Sequence, residues 1–268
     1  MNKSFVLNLL NEASAIAHEY FGKVSDISMK SGDANQVLTQ ADQDVSSLLL
    51  EAVQKAYPHH NIIDEEAGII DKKSEYTWVF DPIDGTSNYA SGLPMYGVII
   101  GLLKDWKPLI GAIALPAFGE IYYAERGKGT MCNDKPIHVT DNPELKRSLV
   151  SWGIDTHPED PERVHKEVAI LEDIIQNTLN FRVSNSAFDA CMVLKGSLGG
   201  YLHKDTKIWE VPTFQILAEE AGGVFTSFDG KQHDYTNIMS EPFGTRYSFC
   251  MAPQQFHPLL QEIIHSHL

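Results

Sequence analysis

Between Trp78 and Asn88 an apolar run, Trp78-Val79-Phe80, stops at two aspartates, Asp81 and Asp84, which Pro82 and Ile83 separate. Gly85, Thr86, Ser87 and Asn88 follow at once. The run reads as a buried strand that carries two carboxylates to its carboxyl end. The polar turn after it opens backbone N–H groups. Carboxylate oxygens suit hard divalent cations, and open N–H groups suit phosphate. The stretch points to a metal-dependent site for a phosphorylated small molecule.

The remaining chain has to supply a scaffold for that strand. Its 268 residues suit one large domain or two closely joined ones, and 43% hydrophobic content is globular. Near-helical spacing predicts helices over 4–21, 39–57, 161–179, 186–195, 210–221 and 258–264. Pro58 stops the second of these, Pro212 is tolerated in a first turn, and Gly222-Gly223 ends the fifth. Short apolar or β-branched runs predict strands at 61–63, 98–103, 109–115, 120–124, 149–152, 181–183, 199–202, 224–228 and 247–251. Residues 28–37 read as a loop, and Lys30 within it is either a phosphate contact or a solvated lysine. Interleaved helices and strands around a β-rich centre predict α/β layers.

Charge and cysteines narrow the setting. The formal charge of −15, from 21 Lys+Arg against 36 Asp+Glu, argues against nucleic acid polymers and anionic membranes, because no basic field exists to release counterions. Much of that acid keeps the surface solvated. Cys132, Cys191 and Cys250 form neither a CxxC pair nor a disulfide framework. No signal-peptide pattern is evident, and no stretch reaches roughly 18 uninterrupted apolar residues. The cytoplasm is the simplest expectation.

Each acidic motif has an ordinary reading when it stands alone. Asp81-x-x-Asp84-Gly85 uses common turn residues. Asp64-Glu65-Glu66 is a solvated turn, Glu210 favours a helix N-terminus, and Asp42 caps a helix that starts near Thr39. As a set they say more. Thr39-Gln40-Ala41-Asp42, Asp64-Glu65-Glu66, Trp78 to Asn88, Trp209-Glu210 and Glu220-Ala221-Gly222-Gly223 run in order along most of the chain. Together they resemble the inositol monophosphatase family, whose WxxDPxDGTxN signature is matched here at every fixed position.

That resemblance implies an α/β (α+β) fold with a layered αβαβα architecture like those of inositol monophosphatase and fructose-1,6-bisphosphatase. It implies one catalytic unit over residues 1–268, with subdomains at about 1–145 and 146–268, and a homodimer. Two Mg²⁺ ions are implied. Glu65, Asp81 and the Ile83 carbonyl would hold one, and Asp81, Asp84 and Glu210 the other, with a third, weaker ion near Glu65. Asp42 and Thr86 would orient and activate the attacking water. Gly85 and Thr86 would present N–H groups to phosphate, with Ser186, His203 and Glu210 toward the substrate. The implied reaction is direct hydrolysis of a small phosphate monoester, with no phospho-enzyme.

Some positions depart from the family pattern. Asp64 replaces a glycine, and Glu210 replaces an aspartate and is one methylene longer. Ser184-Asn185-Ser186-Ala187 replaces Gly-Ser/Thr-Ala-Ala. His203 falls where inositol-specific members place a glutamate, and its ordinary reading is a surface histidine at a strand end. Asp189 is read as structural. The nucleophile pair of haloacid-dehalogenase-type phosphatases is excluded, since Pro82 stands two residues before Asp84. An inositol-1-phosphate-type phosphatase is the leading reading. The competitors are a 3′(2′),5′-bisphosphate nucleotidase, a sugar or histidinol phosphate phosphatase, and a catalytically weak phosphate-binding regulatory protein.

Overall fold

The structure is a computed structural model, and it describes residues 3–23, 28–29, 37–155, 157 and 159–267. The elements in order are α1 (Lys3–Tyr20), β1 (Ser28–Met29), β2 (Val37–Leu38), α2 (Gln40–Ala56), β3 (Asn61–Asp64), β4 (Gly68–Ile70), β5 (Tyr76–Asp84) and α3 (Thr86–Ala90). Next come β6 (Gly97–Lys104), β7 (Lys107–Leu115), β8 (Glu120–Glu125), β9 (Thr130–Cys132), β10 (Lys135–Ile137), β11 (Leu149–Gly153), α4 (Pro161–Asn177) and β12 (Asn180–Arg182). The chain continues with α5 (Ala187–Leu194), β13 (Gly200–Lys207), α6 (Val211–Glu220), β14 (Gly223–Thr226), β15 (Arg246–Pro253) and α7 (His257–His265).

Two large sheets organise these elements, and β1 and β2 form a separate two-stranded one. The first has eight strands in the order β10-β9-β8-β7-β6-β5-β3-β4, and the second has five in the order β12-β11-β13-β15-β14. Val6, Leu10, Val45 and Leu49 of α1 and α2 pack on Trp78, Phe80, Ile100 and Leu102 of the first sheet. Its opposite face, with Val79, Ile99 and Ile113, meets α5 and α6, which in turn meet Tyr201, Phe249 and Met251 of the second sheet. Beyond that sheet, Trp152 and Leu202 are covered by Ile170 and Ile174 of α4 and by Leu260 and Ile264 of α7. Helices and sheets therefore stack as αβαβα, as expected.

The middle helices are buried from both sides, which explains why α6 is apolar over most of its circumference. Glycines let it sit close. Gly101 and Gly111 are cross-strand partners on β6 and β7. A Cβ on Gly101 would lie 2.4 Å from Thr213 Oγ1, and one on Gly111 would lie 2.6 Å from Ile216 Cγ2.

Several expectations need adjusting. Within 28–37, β1 and β2 pair, Ser28 with Leu38 and Met29 with Val37; Lys30 lies outside the described residues. The short strands β4, β9 and β10 lacked a usable apolar pattern. The strand expected over 199–202 runs on to Lys207. Its second half is polar, and the ladder with β15 together with ion pairs at Asp205 keeps it extended.

Candidate active site

Asp81 and Asp84 stand three residues apart, which in an unbroken strand would put them on opposite faces. The pairing of β5 with β6 shifts register between Asp81 and Asp84. The break falls at Pro82, which has no N–H to give to a ladder. It turns Ile83 into the core beneath α1 and α2 and brings both carboxylates to the middle layer. Gly85 then adopts φ 77° as the cap of α3. A side chain there would strike Ser186 Cβ at 2.9 Å and the Met95 carbonyl at 3.0 Å. Asn88 fastens the turn, its Nδ2 donating to the carbonyls of Met95 (2.8 Å) and Ser184 (2.7 Å).

Other elements bring further acids to the same place. After β3, Asp64 Oδ1 accepts from the Glu66 and Ala67 N–H groups at 2.8 Å and from Ser46 Oγ at 2.9 Å. Asp64 thus shapes the turn, and Glu65 lines the cleft. On α2, Asp42 is fully buried, and its Oδ2 accepts from the Thr39 N–H at 2.8 Å. Its Oδ1 lies 3.4 Å from Thr86 Oγ1, which donates to the Ile83 carbonyl at 2.8 Å. Asp84 accepts from the Ala187 N–H at the start of α5. Glu210 caps α6, and its Oε2 accepts from the Thr206 hydroxyl and, at 3.1 Å, from the Lys207 N–H.

Carboxylate oxygens of Asp81, Asp84 and Glu210 all lie within 4.8 Å of one another. Asp81 is only 2% exposed, and its Oδ1 is buried without a hydrogen-bond partner. Burial, then the charges of Glu65, Asp84 and Glu210, push its pKa well above the usual carboxylate range. Burial and Glu210 do the same to Asp84. Burial raises Glu210 to about 7 against the hydrogen bonds from Thr206 and Lys207. An orphaned oxygen inside a cluster of mutually repelling acids is stabilised by a cation. The all-oxygen donor set, free of histidine and cysteine, fits Mg²⁺ better than zinc.

The far wall of the cleft comes from two parallel strands. Ser151 pairs with Tyr201 and Gly153 with His203, and alternation points every second side chain of each strand to one face. His203 is 8% exposed, so the reading as a surface histidine is not what the fold provides. Its Nδ1 accepts from the Asp205 N–H at 3.0 Å, and its Nε2 lies 2.7 Å from Asn185 Oδ1. Because Nδ1 accepts that backbone N–H, the ring proton sits on Nε2, and burial lowers the pKa of the ring. Ser186 caps α5 and presses against Gly85. Asp189 accepts from Ser151 Oγ at 2.7 Å and completes the capping box, a structural role. Asp155, Asn185, Asp205 and Tyr201 also line the cleft. Asn185 belongs to the stretch that departs from the family pattern, whereas Asp155, Asp205 and Tyr201 carry no spacing signal as single polar residues in unremarkable stretches.

A sequence profile of the inositol monophosphatase family matches residues 3–267. Over 234 residues the chain is 31% identical to a fructose-1,6-bisphosphatase/inositol-1-monophosphatase of Aquifex aeolicus, spanning 85% of this chain and 82% of that one. It is 30% identical over 197 residues to the Nus factor SuhB of Haemophilus influenzae, spanning 73% of each. The solved structure of an inositol monophosphatase from Anabaena (Nostoc) matches with a TM-score of 0.81 at 27% identity, covering 99% of this chain and 95% of that one. The chain belongs to the inositol monophosphatase family, Mg²⁺-dependent hydrolases of phosphoric monoesters.

Proposed function

We propose that this enzyme hydrolyses the phosphate monoester of a small polyol, of the inositol-1-phosphate type, with water as the direct attacking group. The observation that carries the reading is the meeting of Asp81, Asp84 and Glu210 beside the Asp42–Thr86 pair. Glu65, Asp81, the Ile83 carbonyl, Asp84 and Glu210 would hold two Mg²⁺ ions, with Asp81 common to both and a third, weaker site near Glu65. Bound there, Mg²⁺ supplies charge that acidifies a water and neutralises phosphoryl oxygens.

The protein's own groups do the rest. Thr86 Oγ1 stands between the Ile83 carbonyl and Asp42 Oδ1. Its hydroxyl can take a proton from the attacking water while passing its own to Asp42. Asp42 is held in place from behind by the Thr39 N–H, so its second oxygen stays aimed at Thr86. The Gly85 and Thr86 N–H groups hold the phosphate in the turn. Ser186 and Glu210 bound the side from which the alcohol departs, and His203 stands behind them on the wall.

Arg246 and Lys207 line the same cleft, and they favour a second reading in which the alcohol carries another anionic group. That describes a 3′(2′),5′-bisphosphate nucleotidase or a sugar bisphosphatase. Histidinol phosphate tests the opposite charge. The relative termed a Nus factor motivates the third reading, a weakly catalytic regulatory protein, but a phosphate binder has no need of the Asp42–Thr86 pair. The test is phosphate release from inositol, sugar, nucleotide and histidinol phosphates with and without Mg²⁺. We expect Mg²⁺-dependent turnover, fastest on a polyol monophosphate. Absence of turnover on every compound would leave the regulatory reading.

We further infer that residues 1–268 act as one unit, because α5 and α6 of the second half pack on the sheet of the first. We also infer a homodimer. Val168 (54% exposed), Ile175 (50%) and Leu179 (62%) form an apolar stripe beside β12, one of the two edge strands of the second sheet. An open strand edge can pair with its own copy across a two-fold axis.

A further inference from the structure

The wall opposite the acidic cluster is a row of hydrogen bonds with one direction. The Asp205 N–H donates to His203 Nδ1 at 3.0 Å, and His203 Nε2–H donates to Asn185 Oδ1 at 2.7 Å. Asn185 Nδ2 then donates to Asp155 Oδ1 at 2.9 Å. Both nitrogens of His203 are used inside the row, so the ring has nothing left to offer a ligand. Gly153 makes this possible, because a Cβ there would lie 1.8 Å from His203 Cδ2.

The row ends in a carboxylate that faces the cleft. Asp155 is half-buried, and among the described residues its Oδ2 accepts no hydrogen bond. The other acids of the wall are occupied. Asp205 is taken by His157 at 3.1 Å, by Arg163, and by Arg246 at 3.2 Å. Asp189 is taken by Ser151 and by its capping box. The path from the phosphate turn to Asp155 is short: Gly85 touches Ser186, Asn185 is its neighbour, and Asn185 holds Asp155. Asn185 sits at φ 56°, a left-handed conformation that asparagine tolerates and that turns its amide along the row.

We propose that Asp155 is a specificity-determining residue of this phosphatase, accepting a hydrogen bond from a hydroxyl of the leaving alcohol, with His203 and Asn185 as positioning residues. The inference rests on the polyol reading above and sharpens it. A carboxylate at this point favours a neutral alcohol rich in hydroxyl donors and repels a second phosphate. Hydrogen bonds to charged groups are the stronger kind, and one is worth about tenfold or more in binding.

The test compares kcat/KM for myo-inositol 1-phosphate with that for p-nitrophenyl phosphate, whose leaving group has no further hydroxyl. In Asp155→Ala the preference for the inositol ester should fall about tenfold, with the loss in KM and not in kcat. Asp155→Asn keeps the shape and removes the charge, so its preference should move the same way by a smaller factor, and relative turnover of fructose 1,6-bisphosphate should rise. A preference within twofold of wild type in both variants, while wild type hydrolyses the inositol ester, would overturn the role of Asp155 alone. A wild-type enzyme that hydrolyses p-nitrophenyl phosphate with Mg²⁺ but no polyol phosphate would overturn the polyol reading and this inference together.

Discussion

Asp81 concentrates the electrostatic problem of the site in one side chain. It is buried, one of its oxygens has no partner, and three other acids surround it. Asp81→Asn should lower Mg²⁺-dependent turnover by at least about 10²-fold, since charge stabilisation is usually the largest catalytic contribution. It should also leave the metal-free protein as stable as wild type or more so. Near-normal turnover in that variant would remove Asp81 from the metal set. Glu210 gives a pH signature. Its folded pKa of about 7 exceeds the ordinary 4.5, so between those values the folded state holds a proton that the unfolded state has released. Stability of the metal-free protein should therefore fall as pH rises from about 4.5 to 7, with the cost complete above 7. Melting curves between pH 5 and 8 check this, and Glu210→Gln should flatten the slope. Added Mg²⁺ should raise Tm more at pH 8 than at pH 5, because protons compete for the same oxygens. An equal Mg²⁺ effect at both pH values would count against this linkage.

At the scale of elements, the position of Glu210 depends on how closely α6 approaches the first sheet. Gly101→Ala would drive a methyl group into Thr213 and Val79, and overpacking of this kind costs about 1–3 kcal/mol. Thr213→Ala should recover part of that loss, since it clears the contact at 2.4 Å and leaves the one with Val79 Cγ2 at 2.5 Å; fully additive losses in the double variant would show that Thr213 is not part of the clash. What the sequence disclosed and what it withheld follow from the same physics. The strand through Trp78-Val79-Phe80, the helices α2 and α6 and the glycine turn were legible because apolar period, caps and breakers are local signals. The parity break at Pro82 was not read, although two acids three apart on one strand already imply it. The polar half of β13 was illegible for a different reason. Lys204, Asp205 and Lys207 stay extended through neighbours distant in sequence, Arg163 and Arg246 among them. The row from His203 to Asp155 depends likewise on strand register, which no local pattern encodes.

For the whole molecule, the exposed side chains Val168 and Ile175 of α4 carry the test of the proposed dimer. Val168→Lys combined with Ile175→Lys should shift the protein toward monomer in analytical ultracentrifugation. A wild-type protein that is monomeric at micromolar concentration would overturn the dimer. The stacking of layers has one more consequence, and it concerns the order in which the molecule is built. Glu65, Asp81 and Asp84 arrive with the first sheet, whereas Glu210 arrives with the helix that joins that sheet to the second. Laying down the middle helices is thus the moment when like charges from two halves of the chain must be brought together. Divalent cations in solution would act there as an assembly factor before they act as a cofactor, and refolding in their presence should gain most in the step that docks one half onto the other.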